Sequence, residues 1–141
     1  NDNTNLRAGF SNFNKNRVNV FAPGEQIYST VPDGKYKYLQ GTSMASPVVA
    51  GAAALLMSYM PYLTPAQVIE SLVKSSNPSS VVDANGTPFS QFSQAGGVID
   101  VEKAAEYAYT NFYKGSASTS ALKKAAGVKK TTTTKKVVKK K

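Results

Sequence analysis

The chain has 141 residues and a formal net charge of +9 at pH 7, with no cysteine and no histidine. The missing cysteines exclude a disulfide framework and a thiolate zinc site, and without histidine any metal site would need oxygen ligands. The length is enough for one modest domain.

Short strands precede the first helix. Residues 18–21 (VNVF) alternate in polarity and end at an Ala-Pro-Gly turn, which predicts a strand. Residues 27–31 are β-branched and aromatic and predict a second strand, closed by a Pro-Asp-Gly turn. Residues 35–39 alternate lysine with tyrosine and lead directly into the motif GTSMASPVVAG at residues 41–51.

The motif opens a predicted helix over residues 43–60 that is apolar or small on almost every face. A helix without a polar side is typical of a buried, central position. Pro47 falls near the end of the first turn, where it removes at most one backbone hydrogen bond, and Pro61 helps to end the helix. The longest apolar run, residues 48–57, is too short to cross a bilayer, so we predict no membrane span.

A second helix is predicted from Thr64, which acts as N-cap with Gln67 completing a capping box. Pro65 suits the first helical position. Apolar residues then recur at helical spacing and predict one packed face, while the other face is exposed to water. The packed residues are Val68, Ile69, Leu72 and Val73, and the exposed ones are Glu70 and Lys74.

Asp100 predicts the cap of a third helix. The inner face of that helix is predicted to consist of Val101, Ala104, Ala105 and Ala108. Between the second and third helices, the sequence Asn85-Gly86-Thr87 fits an Asn-Gly hairpin turn. It also matches a glycosylation sequon, and we favour the turn.

The charge divides the chain into residues 1–113, with a net charge of −1, and residues 114–141, with ten lysines and no acids. We predict a globular part and a disordered low-complexity tail, because the tail lacks large apolar residues. The tail could bind a polyanion, or it could be only a solubilising end. The candidate contact residues are Lys123, Lys124, Lys129, Lys130, Lys135, Lys136, Lys139, Lys140 and Lys141.

Ser43 stands where a glycine-led turn enters an apolar helix. A serine in that position is most often only a cap. Two features favour a chemical role: Gly41 permits close backbone approach, and the helix start offers a free N–H and a positive dipole end for a developing oxyanion. These features alone leave both interpretations open.

The string GTSMASPVVAGAAALL, residues 41–56, resembles the nucleophile segment of the subtilisin-like serine proteases, the subtilases of peptidase family S8. Further ordered segments are similar to that family, and together they cover about residues 3–108. They are residues 5–11, 20–30, 64–72 and 97–105. The resemblance implies an α/β fold with a mainly parallel sheet and flanking helices, here without the amino-terminal half of the domain.

The resemblance implies that Ser43 is the nucleophile of a serine endopeptidase and that its backbone N–H contributes to the oxyanion hole. Met44 is predicted to be sensitive to oxidation, because a sulfoxide would crowd the site. The remaining candidates form the nucleophile turn and the cleft edge: Leu39, Gln40, Gly41 and Thr42.

The family's chain order places the catalytic aspartate and histidine upstream of the serine, and only 42 residues precede Ser43. The resemblance therefore implies a carboxy-terminal part of the catalytic domain, inactive alone. It would need the missing amino-terminal half as its partner to act on protein or peptide substrates. The family suggests an extracellular or cell-envelope location. The alternatives are a non-catalytic remnant and a polyanion-binding protein acting through the tail.

Two departures from the family concern metals. Asn19 occupies a place where some members have an aspartate associated with cation binding. The cluster Asp-Asn-Thr-Asn at residues 2–5 is interpreted as a solvated turn and not as a calcium loop. We therefore predict no metal site and no cofactor.

Overall fold

The computed structural model describes residues 6–113. The predicted disordered tail at 114–141 and the predicted turn at 2–5 lie outside the described residues. In chain order the elements are β1 (Ile27–Val31), β2 (Lys35–Leu39), α1 (Thr42–Tyr59), α2 (Pro65–Lys74), β3 (Asn77–Pro78), β4 (Gly97–Val98) and α3 (Val101–Ala108), with a short 3-10 helix at Phe89–Gln91 and a π-helical turn at Tyr109–Tyr113.

Strands β1 and β2 form an antiparallel hairpin in which Ile27 pairs with Leu39 and Val31 with Lys35. The loop reverses the chain through two consecutive left-handed residues, Asp33 (φ 66°) and Gly34 (φ 65°). Aspartate and glycine tolerate that conformation. The predicted second strand and its turn are confirmed, and the hairpin ends close to the motif.

The prediction of a strand at residues 18–21 is wrong. Only Phe21 pairs, in a single parallel bridge with Val98. The carbonyl groups of Val18 and Asn19 instead accept hydrogen bonds from a loop, at Gln94 and Ala95. Because those bonds leave no continuous ladder, the segment does not form a strand. Within residues 6–113 this bridge is the only parallel pairing, since the β1–β2 ladder, the β3–β4 ladder and the Val82–Pro88 bridge are antiparallel.

Helix α1 is confirmed to within one residue at each end. In the described chain only Ala52 and Leu56 are buried along it. Burial of its other sides is predicted only for a domain that includes the amino-terminal half. Leu55, Met57 and Tyr59 are exposed by 47%, 44% and 76%. Helices α2 and α3 cover one side of α1, and residues 6–113 supply no complete cover for the other sides.

Helix α1 is also the one described helix with the length and hydropathy of a membrane span, by those two properties only. The core helix of a water-soluble domain passes the same test. The absence of a membrane span therefore remains a prediction.

The core lies where the three helices and the loop between α1 and α2 meet. Its members are Ala52, Leu56, Met60, Leu63, Val68, Leu72, Ala104 and Ala108. The predicted inner face of α3 is confirmed, with Ala104 and Ala108 fully buried. On α2, Ile69 is 54% exposed, so its predicted burial is wrong. Ser71 is buried in its place, because its hydroxyl donates to the Gln67 carbonyl at 2.7 Å and needs no water.

A second, aromatic cluster anchors the segment that leads to the hairpin. Phe21 packs against the buried Phe89 with ring centroids 5.1 Å apart, and Phe89 contacts Phe92 edge-on. The guanidinium of Arg7 covers the Phe92 ring at 4.9 Å. Offset and edge-on ring contacts add to the stabilisation from apolar burial. The segment after Phe21 therefore starts from a fixed point.

The predicted caps and the second turn are confirmed. The Asp100 carboxylate accepts from the Lys103 amide at 3.0 Å and begins α3. The turn at Asn85-Gly86 has φ 78° at Gly86. Its ends are joined because the Asp83 amide donates to the Thr87 carbonyl at 2.9 Å.

Candidate functional site

A two-residue connection carries the chain from β2 into α1. Leu39 is the last residue of β2, and Gly41 is the N-cap of α1, with φ 146° and ψ 162°. Gly41 has no side chain that could cap the helix. The first backbone N–H groups of α1 therefore receive no side-chain acceptor from the N-cap residue. Only glycine adopts this φ without strain.

Ser43 is the second residue of α1 and not its N-cap, so the interpretation of Ser43 as a simple cap is wrong. Its side chain is exposed, and no described residue forms a hydrogen bond with its hydroxyl. No described residue accepts from its backbone N–H either. A hydroxyl and an N–H of the same residue are thus both available at the positive end of a helix.

The six candidate residues lie together on this connection because they are contiguous in sequence. Gln40 and Thr42 are exposed like Ser43, whereas Leu39 and Met44 are half-buried. The Met44 amide donates to the Gly41 carbonyl at 3.0 Å and closes the first turn of α1. Ser43 is therefore exposed within a short stretch whose first and last residues, Leu39 and Met44, are half-buried.

Sequence reasoning treated Gly24 only as the end of a turn. In the structure its carbonyl accepts a 2.7 Å hydrogen bond from the Gly41 amide. A Cβ atom built on Gly24 would lie 2.8 Å from the Gly41 carbonyl oxygen. The available signal was the glycine itself, which is needed where two backbones approach closely.

Groups with a shifted pKa lie elsewhere in the chain. Backbone hydrogen bonds, led by those from Thr87 and Lys103, hold the pKa values of Asp83 and Asp100 below their ordinary range. A hydrogen bond to Glu70 raises the pKa of Tyr107.

Within residues 6–113, no group of three or more acidic side chains is arranged to hold a metal ion. The described chain supplies Ser43 with no histidine to act as a base.

An apolar groove of about 460 Å³ runs along α1 on the side of α2. Its walls include Val20, Val49, Ala53 and Leu72. The α1 residues along the groove are small, and no described segment fills the space beside them.

Comparisons with known proteins connect this geometry to one family. The model of the subtilase family, peptidase S8, matches residues 1–95. Over 105 residues the chain is 43% identical to Subtilisin DY of Bacillus licheniformis, which covers 74% of this chain and 35% of that protein. It is 38% identical over 122 residues to an Intracellular serine protease of Paenibacillus polymyxa, covering 81% of this chain and 35% of the relative.

A solved structure of the subtilase cytotoxin SubAB matches the fold with a TM-score of 0.60 and 26% sequence identity. The match covers 79% of this chain and 35% of that chain. The α/β class is thereby confirmed, while the mainly parallel sheet stays a prediction. The chain thus spans about a third of the length of each of these three proteins.

Proposed function

The chain belongs to the subtilase family of serine proteases, and on that premise we propose that it carries the nucleophile of a serine endopeptidase, Ser43. The observation that carries the proposal is the state of Ser43 itself. Its hydroxyl and its backbone N–H are both unengaged at the start of α1, within the segment that matches the family. Protein or peptide chains are the proposed substrates.

In the proposed reaction, Ser43 Oγ attacks the carbonyl carbon of the scissile peptide bond while a histidine takes the hydroxyl proton. The carbonyl oxygen becomes an oxyanion, to which the Ser43 N–H donates. The tetrahedral intermediate then collapses, the C–N bond breaks, and the histidine returns the proton to the leaving amine. Water then attacks the acyl ester while the histidine takes a proton from it. The ester bond breaks, and the histidine returns that proton to Ser43 Oγ.

This chain has no histidine, so the base has to come from outside it. We propose that the amino-terminal part of the catalytic domain supplies the histidine and its aspartate. The exposed apolar side chains of α1 and the open groove beside it support this partner, because apolar surface of that extent is usually covered. The chain alone is therefore inactive, since a serine hydroxyl without a base is a weak nucleophile.

Casein hydrolysis tests the proposal. Three proteins are compared. They are residues 1–141 alone, the same residues preceded by the protein segment encoded upstream of them (the joined protein), and the joined protein with Ser43→Ala. Activity in the second protein only is expected. Hydrolysis by residues 1–141 alone would contradict the need for a partner. Equal activity with and without Ser43→Ala would contradict the nucleophile.

A non-catalytic remnant is the second candidate, because the helical core is packed within the described residues without any catalytic partner. In that case the α1–α3 core would serve only as a packing module. An upstream sequence lacking the aspartate or the histidine would support the remnant over the enzyme.

The lysine-rich tail supports a third role, binding of a polyanion by counterion release. Residues 114–141 hold ten lysines and no acidic residue. Binding to heparin or DNA that weakens steeply with salt and disappears on truncation before Lys114 would support it. Salt-independent binding, or binding that survives truncation, would contradict it.

We propose an extracellular or cell-envelope location from the family resemblance. The relative from Paenibacillus polymyxa is named intracellular, so the family does not impose that location. Fractionation of the native cells, with antibodies to the chain, distinguishes the two compartments.

A further inference from the structure

We propose that Gly24 is a positioning residue for Ser43: it holds the Gly41 turn in place and leaves room for that turn only because it has no side chain. The inference rests on the proposed function, since it assigns Gly24 a role in presenting the nucleophile. Gly24 itself would touch neither substrate nor the reacting atoms.

The first support is a hydrogen bond between two loops distant in sequence. The Gly41 amide donates to the Gly24 carbonyl at 2.7 Å. Gly41 is the N-cap of α1 and receives no side-chain cap, so this bond is a direct restraint on the turn from outside the helix. Ser43 lies two residues further on, within the first turn of α1.

The second support is steric. A Cβ atom on Gly24 would lie 2.8 Å from the Gly41 carbonyl oxygen and 3.3 Å from Ala45 Cβ. The Gly41 carbonyl also accepts from the Met44 amide at 3.0 Å, which fixes it in the first turn of α1. A contact that close to a backbone atom cannot be relieved by rotating a side chain, so the backbone would have to shift.

The segment carrying Gly24 cannot easily retreat. Three residues before it, Phe21 is anchored by its ring contact with Phe89 and by its bridge to Val98. Its carbonyl accepts from the Ile99 amide at 2.8 Å. A side chain at Gly24 therefore pushes on the turn that carries Gly41, and the displacement passes to Ser43. Misplacing a reacting group by about 1 Å can cost roughly 100-fold in rate.

The test compares Gly24→Ala with Gly9→Ala in the joined protein. Gly9 is the matched control, because a Cβ atom there would meet nothing within 4 Å. We expect Gly24→Ala to lower kcat at least about tenfold while KM changes by less than about twofold, the pattern of an interaction lost in the transition state. The rate of Ser43 modification by a fluorophosphonate falls in parallel. Gly9→Ala changes neither rate.

Equal kcat values for Gly24→Ala and Gly9→Ala, with an active parent protein, would overturn the inference and leave the proposed function intact. An inactive parent protein that also fails to react with the fluorophosphonate would instead count against the proposed function. The two failures are therefore distinguishable.

A second measurement applies if Gly24→Ala does not fold. Amide hydrogen exchange of the unsubstituted protein, followed by NMR, compares Gly41 with Ser43. We expect at least about tenfold slower exchange at Gly41, because its N–H is bonded to Gly24 and the Ser43 N–H is free. Equal rates would overturn the inference.

Discussion

Thr64 and Gln67 satisfy each other's backbone amides at the start of α2. The Gln67 backbone N–H donates to the Thr64 hydroxyl at 3.3 Å, and the Thr64 backbone N–H donates to the side-chain Oε1 of Gln67 at 2.8 Å. We expect Thr64→Ala to lower the free energy of unfolding by about 1 kcal/mol, since the hydroxyl acceptor is lost. Thr64→Ser keeps the acceptor and is the matched control. Chemical denaturation measures both, and equal losses would contradict the capping box.

Gly97 pairs with Pro78 in the β3–β4 ladder, where a Cβ atom would collide with the carbonyl oxygen of Asn77. We expect Gly97→Ala to destabilise the protein by about 2 kcal/mol, because the strands must separate to admit the methyl group. Gly9→Ala, with an open surrounding, should stay within about 0.5 kcal/mol of the parent. A Gly97→Ala protein as stable as the parent would show that the ladder is not closed there.

The turn at Asp83 makes stability depend on pH. Backbone N–H groups of Thr87 and Asn85 donate to its carboxylate at 2.8 and 2.9 Å and hold its pKa below the ordinary 3.8. A lowered pKa in the folded state stabilises above the unfolded pKa, and the effect is lost as the pH falls through the folded pKa. We therefore expect Asp83→Asn to lower Tm at pH 6 and to have less effect below about pH 3.

The control for that measurement is Asp33→Asn, which removes an equal charge from the β1–β2 turn. Within residues 6–113, no group donates a hydrogen bond to the Asp33 carboxylate. A Tm difference for Asp83→Asn that stays constant between pH 6 and pH 3 would contradict the role of its carboxylate.

Met44 is half-buried and directly follows Ser43. We expect hydrogen peroxide to remove most of the activity of the joined protein, because a sulfoxide adds a polar oxygen beside the nucleophile. Met44→Leu should be resistant. Met57→Leu is the matched control, since Met57 is 44% exposed on the same helix and distant in sequence from Ser43. Equal inactivation of all three proteins would rule out Met44 as the sensitive position.

Local sequence patterns predicted the elements that local interactions decide. The capping box at Thr64, the Asp100 cap and the Asn85-Gly86 turn depend on residues within four positions of one another. The family resemblance depended on a longer string, and the match over residues 1–95 confirms it.

Patterns failed where the outcome depends on distant residues. The alternation at residues 18–21 fits a strand, yet the loop at Gln94 and Ala95 takes up two of its carbonyl groups. The apolar composition of α1 predicts burial, but burial requires partners that residues 6–113 do not provide. The contact between Gly24 and Gly41 joins positions too far apart for any local pattern to reveal.

The central claim is that Ser43 is the nucleophile of a serine endopeptidase, and one measurement addresses it most directly. The joined protein is treated with a fluorophosphonate, digested, and the modified serine is located by mass spectrometry, with Ser43→Ala and Ser58→Ala as comparisons. The account predicts modification at Ser43 that is lost in Ser43→Ala and retained in Ser58→Ala, because Ser58 lies at the far end of α1. A folded protein with its aspartate and histidine in place that leaves Ser43 unmodified would contradict it.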